Sequence, residues 1–418
     1  MNRNLVRFIL LLLLALMGLL PGARPAQAQD AIALVSQDSN YGFAHHIYFE
    51  AQFHSATPIT SITLFFAAEN DRRIFSTDLS VFGGRTEAAP NYTLHLGEYP
   101  LQPFAQVGFW WYVEAEGGAT LGTESRSFTY ADNRYHWRQT GQGQIMVYSA
   151  ADDPALGYTA LRIAQEGLER IQTVLPNPLT TAISIYIYPS LGELRSAMRL
   201  VGQEWIGGHA NTKLGVVLVS AGRGPTAGIE LEQTIPHEVA HLVVDQNTNT
   251  SGGQNSAPVW LHEGLAVNNE LRPDPTFALA LEHALDTDSL HALETLCAPF
   301  PADPSSALLA YAQSASVVHY LQNHYGNRLI RLLLAAYGDG ADCNGGVERI
   351  LGITLQELDD EWLASLKGAS STPTRPPVAD PNGVRMWVLI LGLLSALASF
   401  FYLLRPGSKK ERQREQPA

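Results

Sequence analysis

The sequence predicts a multidomain chain: an N-terminal antiparallel β-sandwich, then an α+β domain ending in a helical lobe, and one C-terminal transmembrane helix. Three observations predict this. Short apolar runs separated by turn residues fill roughly the first hundred positions after an apolar leader. After Asn133 the pattern changes to mixed strands and helices, and then to helices alone. Residues 386–404 form a 19-residue stretch without a charge.

The leader occupies residues 1–28. Asn2, Arg3 and Arg7 precede an apolar run from Phe8 to Leu20, and Pro21-Gly22 and Ala26-Gln27-Ala28 follow. A basic flank, a short apolar core and a small-x-small site define a secretory signal peptide, with cleavage expected after Ala28. The competing reading, an uncleaved anchor, has a run that is short for a span.

Residues 29–132 read as the sandwich. Ile47-Tyr48-Phe49, Ile62 to Phe66, Tyr92 to Leu96 and Val107 to Val113 are strand-length runs, set apart by Gly83-Gly84, Pro90-Asn91 and Gly117-Gly118. This spacing predicts an immunoglobulin- or fibronectin-like sandwich. His45, His46 and His54 read as surface strand residues, and the sandwich as a spacer or docking module.

Residues 133–367 read as the α+β domain. Ile145–Tyr148, Ala182–Tyr188 and Gly215–Val219 are expected strands, and Pro154–Val174 and Leu191–Leu200 expected helices, with helices only from Glu230 to Leu366. Residues 368–385 form a linker in which Pro373, Pro376, Pro377 and Pro381 favour an extended stalk. The run Met386–Leu404 spans about 28 Å as a helix, close to the thickness of a bilayer core. Trp387 and Tyr402 sit near its two ends. The tail 405–418 carries Arg405, Lys409, Lys410, Arg412 and Arg414 against Glu411 and Glu415, so the positive-inside rule keeps it cytoplasmic and places all that precedes the span outside.

The chain carries a net charge of −13, and the leader and the tail contribute +3 each, so the 376 residues between them carry about −19. Nucleic-acid binding, which neutralises phosphates with Lys and Arg, is therefore not expected. Cys297 and Cys343 would both face an oxidising exterior, where a disulfide and two free thiols are both open readings.

The chemistry concentrates in two strings. Thr234-Ile-Pro-His237-Glu238-Val-Ala-His241-Leu-Val-Val reads as a buried helix with Pro236 near its first turn. His237 and His241 then lie one turn apart on one face, and two imidazoles so placed can take two corners of a tetrahedral zinc site. Glu238 points alongside the metal, where a carboxylate can take a proton from an activated water. The second string is Pro258-Val-Trp260-Leu-His-Glu263-Gly264-Leu-Ala266-Val-Asn-Asn-Glu270. Glu263, 22 positions beyond His241, can supply a third ligand and leave the fourth position open, as a catalytic zinc requires.

His237-Glu238-x-x-His241 followed by Trp260-Leu-x-Glu263-Gly264-x-Ala266-x-x-x-Glu270 resembles the gluzincin metallopeptidases. It is most similar to the bacterial peptidase MA-like domain family, which is related in motif to the M1 aminopeptidases. The resemblance covers roughly residues 133–366. It implies zinc held by His237, His241 and Glu263, base catalysis by Glu238, a supporting role for Glu270, and a peptide or protein substrate. His262 is expected to point away from the metal. The segment from Tyr311 to Leu321 resembles the family's downstream helix, which makes Tyr311 the candidate donor to the oxyanion; His319, Tyr320, His324 and Tyr325 compete for that role.

One departure narrows the activity. The Gly-x-Met-Glu-Asn string that binds a free amine in M1 enzymes is absent, which favours endopeptidase action. Lys213–Val219 is the candidate edge strand for pairing with an extended peptide. Two other readings remain open from the residues alone: a zinc-containing but non-catalytic surface adhesion module, against which the intact Glu238 argues, and a structural zinc protein, which would need a fourth protein ligand.

Overall fold

The computed structural model describes residues 31–368, apart from 69–72, 82, 98, 100, 151–152, 199–207, 223–225 and 249–256. The expected leader, all but the first residue of the linker, the expected transmembrane segment and the tail lie outside the described residues. Among the described residues no helix is long and apolar enough to cross a membrane. The chain divides into two compact units, one running to His136 with the segment from Gly192 to Ile206, the other comprising Trp137–Leu191 and the chain from Gly207 onward.

The first unit contains β1 (Ile32–Gly42), β2 (His46–Ser55), β3 (Ile59–Ala68), β4 (Phe75–Leu79), β5 (Glu87–Ala88), β6 (Asn91–His95), β7 (Gln106–Ala115), β8 (Ala119–Gly122) and β9 (Arg126–Thr129). They form two sheets, β1-β2-β5 with β6 on β2, and β4-β3-β7-β8 with β9 on β7, and every pairing in them is antiparallel. In β2 every second residue is buried (Ile47, Phe49, Ala51, Phe53, Ser55), and β7 alternates likewise through Val107, Phe109, Trp111 and Val113. The two inner faces meet: the Phe49 ring lies 5.7 Å from Phe66 and 5.2 Å from Phe109, and Phe53 lies 6.2 Å from Trp111. Period-two patterning thus delivers the antiparallel sheets expected from the sequence. His45, His46 and His54 are exposed, as that pattern requires.

The second unit has a five-stranded sheet in the order β10-β11-β12-β14-β13, built from β10 (Arg138–Gln142), β11 (Ile145–Ser149), β12 (Ile183–Tyr188), β13 (Gly208–Asn211) and β14 (Val216–Ser220). β11, β12 and β14 run parallel, and the edges β10 and β13 are antiparallel to their neighbours. β12 is buried almost throughout, as befits a central strand covered on both faces. The expectation that Lys213–Val219 is an edge strand is corrected: β14 is flanked on both sides, and the edge is β13. Gly-His-Ala-Asn carries too little apolar alternation to announce itself as a strand.

Helix α1 (Pro154–Val174) has the bounds expected of it; the Asp153 side chain accepts the Ala155 N–H and Pro154 opens the first turn. After α2 (Leu191–Met198) come α3 (Ala227–Thr248), α4 (Val259–Asn269), α5 (Pro275–Thr287), a 3-10 turn (Leu293–Cys297), α6 (Pro304–Tyr325), α7 (Asn327–Gly338), α8 (Cys343–Leu351) and α9 (Leu355–Leu366). One continuous core joins sheet residues Val147, Ile185 and Val217 to Ile163 of α1, Val239 and Val243 of α3, Trp260 of α4, Leu333 of α7 and Trp362 of α9. Cys297 and Cys343 form a disulfide between the 3-10 turn and the start of α8.

Helix α3 departs from expectation in one respect. It begins at Ala227, so Pro236 lies in its interior and not in its first turn. Proline has no N–H to give the carbonyl one turn earlier. That carbonyl, on Glu232, instead accepts the Leu271 N–H at 3.0 Å. Asn269 Nδ2 donates to Pro236 O at 2.7 Å and to Gly167 O at 3.1 Å. The proline therefore serves as a docking point for the end of α4. Gly167 of α1 sits so close to it that a Cβ there would lie 2.8 Å from Pro236 Cβ.

Candidate metal centre

The two motif helices bring their polar residues together inside apolar surroundings. Val239, Ala240 and Val243 bury α3, and Trp260, Leu261, Leu265 and Ala266 bury α4. Gly264 allows α4 to approach α6, since a Cβ at that position would clash with the Ser314 carbonyl. That close crossing sets the depth at which the neighbouring Glu263 projects.

The ligand atoms of His237, His241 and Glu263 all lie within 4.8 Å of one another. Glu263 Oε2 is 3.3 Å from His237 Nε2 and 3.5 Å from His241 Nε2. The other ring nitrogens are already engaged. His237 Nδ1 is 3.1 Å from Glu270 Oε1, and His241 Nδ1 is 2.8 Å from His262 Nδ1. Those contacts leave each Nε2 free to ligate. Ligation through Nε2 requires Nδ1 to carry the proton, which His237 then donates to Glu270 and His241 to His262.

A divalent cation fits this arrangement. Glu263 Oε2 is buried without a hydrogen-bond donor, although two imidazole nitrogens face it. Tetrahedral bonds of about 2.0–2.2 Å would place ligand atoms about 3.3–3.6 Å apart, close to the 3.3 and 3.5 Å that separate Glu263 Oε2 from the two imidazoles.

The electrostatics agree. Burial alone would lower the His237 imidazole, but the Glu263 and Glu270 carboxylates outweigh it and lift it to about 10. Burial alone would raise Glu263, but His241, His237 and His262 carry it down to about 2. His241 is driven well below its ordinary value by burial and so stays neutral, the ligating form. In the metal-free protein a proton on His237 thus competes with a cation for the same site, and metal uptake weakens as pH falls.

Glu238 is 6% exposed and its carboxyl is pushed up to about 7, chiefly by burial and also by Glu263, against the lowering effect of His237 and the Ala210 N–H. Ala210 belongs to edge strand β13, whose Gly208 also faces this carboxylate; a Cβ on Gly208 would lie 2.6 Å from Glu238 Oε1. The Glu238 carboxylate is thus held between α3 and the sheet edge.

Tyr311 of α6 has its ring 6.3 Å from that of His237. Burial raises its phenol, with further contributions from Glu263 and Glu238, so the hydroxyl keeps its proton and can donate. The competing residues have other partners. His319 is exposed and bonded to Asn323, His324 bonds the Tyr320 carbonyl, and Tyr325 bonds Glu361.

His262 was expected to point away from the metal. It lies outside the His237, His241 and Glu263 cluster, yet it turns inward, and its Nδ1 meets His241 Nδ1. Its position beside Glu263 was visible, but its pairing with His241 depends on how α3 and α4 cross. Replacing His262 with Leu is expected to weaken metal binding roughly 10- to 100-fold, and Gln, which restores an acceptor, to recover part of the loss. Chelator competition measures both, and unchanged affinity in the Leu variant would refute this role. His209 on β13 is a second residue the sequence reading missed. It is half-buried, its imidazole is lowered by burial, and it is close enough to influence His241.

Residues 163–368, just under half of the chain, match the family model described as Peptidase MA superfamily, in agreement with the gluzincin-like resemblance of the two motifs. No curated protein matches the chain. Among solved structures, aminopeptidase A of Legionella pneumophila, in complex with aspartic acid, is 12% identical with a TM-score of 0.33, over 82% of this chain and 48% of that one. Purple acid phosphatase PPD1 from yellow lupin (Lupinus luteus) seeds is 9% identical with a TM-score of 0.19, over 49% of this chain and 40% of that one. The chain therefore spans about half the length of the aminopeptidase, and less of the phosphatase.

Proposed function

Starting from a Peptidase MA superfamily domain at residues 163–368, we propose that the protein is a zinc-dependent endopeptidase, held outside the cytoplasmic membrane by one C-terminal span. The observation that carries the reading is the convergence of two imidazole Nε2 atoms on a buried carboxylate oxygen that has no other partner. Bound there, zinc would lower the pKa of a water and polarise the scissile carbonyl. His237, His241 and Glu263 would hold it, with Glu270 and His262 fixing the two imidazoles.

The remaining chemistry belongs to the chain. Glu238 takes a proton from the attacking water and returns it to the leaving amine. Tyr311 donates its hydroxyl proton in a hydrogen bond to the oxygen on which negative charge develops. Among the described residues β13 is the edge of the sheet beside Glu238, and it is the candidate for pairing with an extended peptide through main-chain hydrogen bonds, in the role first assigned to Lys213–Val219. The lack of an amine-binding string supports cleavage within a chain over removal of a terminal residue.

Incubation of purified protein with casein and a peptide library tests the activity. Internal cleavage that chelator abolishes and zinc restores is the expected result. Bound metal without cleavage would instead favour a non-catalytic adhesion module. Tyr311→Phe is expected to lower turnover on the order of 10²-fold with zinc content unchanged, and an unchanged rate would remove Tyr311 from this role. The anchor is tested by fractionation: deletion of 386–404 should release the protein from membranes.

A further inference from the structure

Three separate segments bring aromatic rings to one side of the metal centre. Tyr311 lies on α6, beside His237. Phe300 comes from the loop that precedes α6 and meets the Tyr311 ring edge-on at 5.0 Å. Phe277, on the first turn of α5, lies 6.5 Å from the same ring. All three are half-buried. Helix α5 is thinly covered: Ala284 is its one fully buried residue, and Leu279 remains 63% exposed.

Large apolar rings are among the side chains that folding buries most readily. A contiguous partly open aromatic surface next to a polar reactive centre is the usual composition of a site that binds an apolar group. From this we infer that Phe277, Phe300 and Tyr311 wall an apolar subsite. It takes the aromatic or leucine-like side chain of a substrate residue next to the scissile bond. The inference rests on the peptidase reading of the metal centre and names its substrate class.

The shared residue fixes the occupant's position. Tyr311 faces both the metal centre and the two phenylalanines, so a side chain lying against Phe277 and Phe300 belongs to a residue at or beside the reacting carbonyl. Rings 5–6.5 Å apart can also admit offset or edge contacts with an incoming ring. An acidic side chain would instead meet the Glu238 and Glu263 carboxylates, which already act on Tyr311.

The test is a set of internally quenched peptides, alike except for Phe, Leu, Ala, Asp or Lys at the residues flanking the cut. They are assayed with the full-length protein, Phe277→Ala and Phe277→Leu. The wild type is expected to prefer Phe and Leu over Ala and Asp by at least about 10-fold in kcat/KM. Phe277→Ala should lose about 10-fold on the Phe peptide and stay within about twofold on the Ala peptide, while Phe277→Leu keeps most of the preference. Zinc content and thermal midpoint of the variants report whether the fold is intact. Cleavage without regard to the flanking residue, a preference for Lys or Asp, or an apolar preference that survives Phe277→Ala would overturn the subsite and leave the peptidase reading standing. Failure to cleave any peptide would remove both.

Discussion

Glu238→Gln is expected to lower kcat/KM on the order of 10³- to 10⁴-fold while zinc remains bound at one equivalent. Glutamine keeps the size of the side chain and an oxygen to accept the Ala210 N–H, so β13 and α3 stay together. What it loses is the ability to take a proton. The carboxyl sits at about 7 because burial disfavours its charged form, so it is basic enough to accept that proton near neutral pH. A bound cation would shift this value down, placing the acidic limb of the rate profile below about pH 7. The same burial has a consequence for stability. A carboxyl raised in the folded state makes the metal-free fold less stable as pH rises from about 4.5 through about 7, because the unfolded chain ionises first. The Gln variant lacks this slope. Peptide assays with metal analysis check the first claim and urea unfolding at several pH values the second. Near-wild-type turnover in the variant would exclude Glu238 as the base.

Glu263→Ala is expected to abolish activity through the metal itself. The variant keeps two imidazoles but loses the buried oxygen on which they converge, and zinc affinity should fall by more than the roughly 10- to 100-fold typical of losing a supporting hydrogen bond. Metal analysis after gel filtration reads the outcome directly; retention of one equivalent of zinc would rule out Glu263 as a ligand. Stability should respond as well. Glu263 is held down at about 2, so its favourable interactions are present above the ordinary carboxylate range and are lost as pH falls towards 2. In the metal-free state, the stability gap between wild type and variant should therefore narrow in acid.

The residues legible in the sequence were those whose chemistry is local. His237, Glu238 and His241 share one turn of helix, and Glu263 sits in a string with its own signature, so spacing together with the resemblance of the two strings to the gluzincin motifs pointed to them. Alternation along β2, β3 and β7 was equally local and gave the antiparallel sheets. Tertiary relations were not legible. Pro236 read as a helix start because proline belongs there, and the donor that lets it sit mid-helix comes from Leu271, 35 positions away. β13 is a polar edge strand, recognisable only by the base it touches. The pairing of Cys297 with Cys343 was undecided because spacing says nothing of whether α8 returns to the 3-10 turn. His262 and His209 likewise needed the crossing of elements to acquire partners.

The proline in α3 has one further consequence. Glu232, Pro236, Asn269 and Leu271 bolt the helix that carries two ligands to the end of the helix that carries the third, and none of those bonds involves the metal. That tie between the two helices does not depend on an ion in the site. Two helices joined this way can pack before any ion arrives, so that loading the site becomes a step separate from folding.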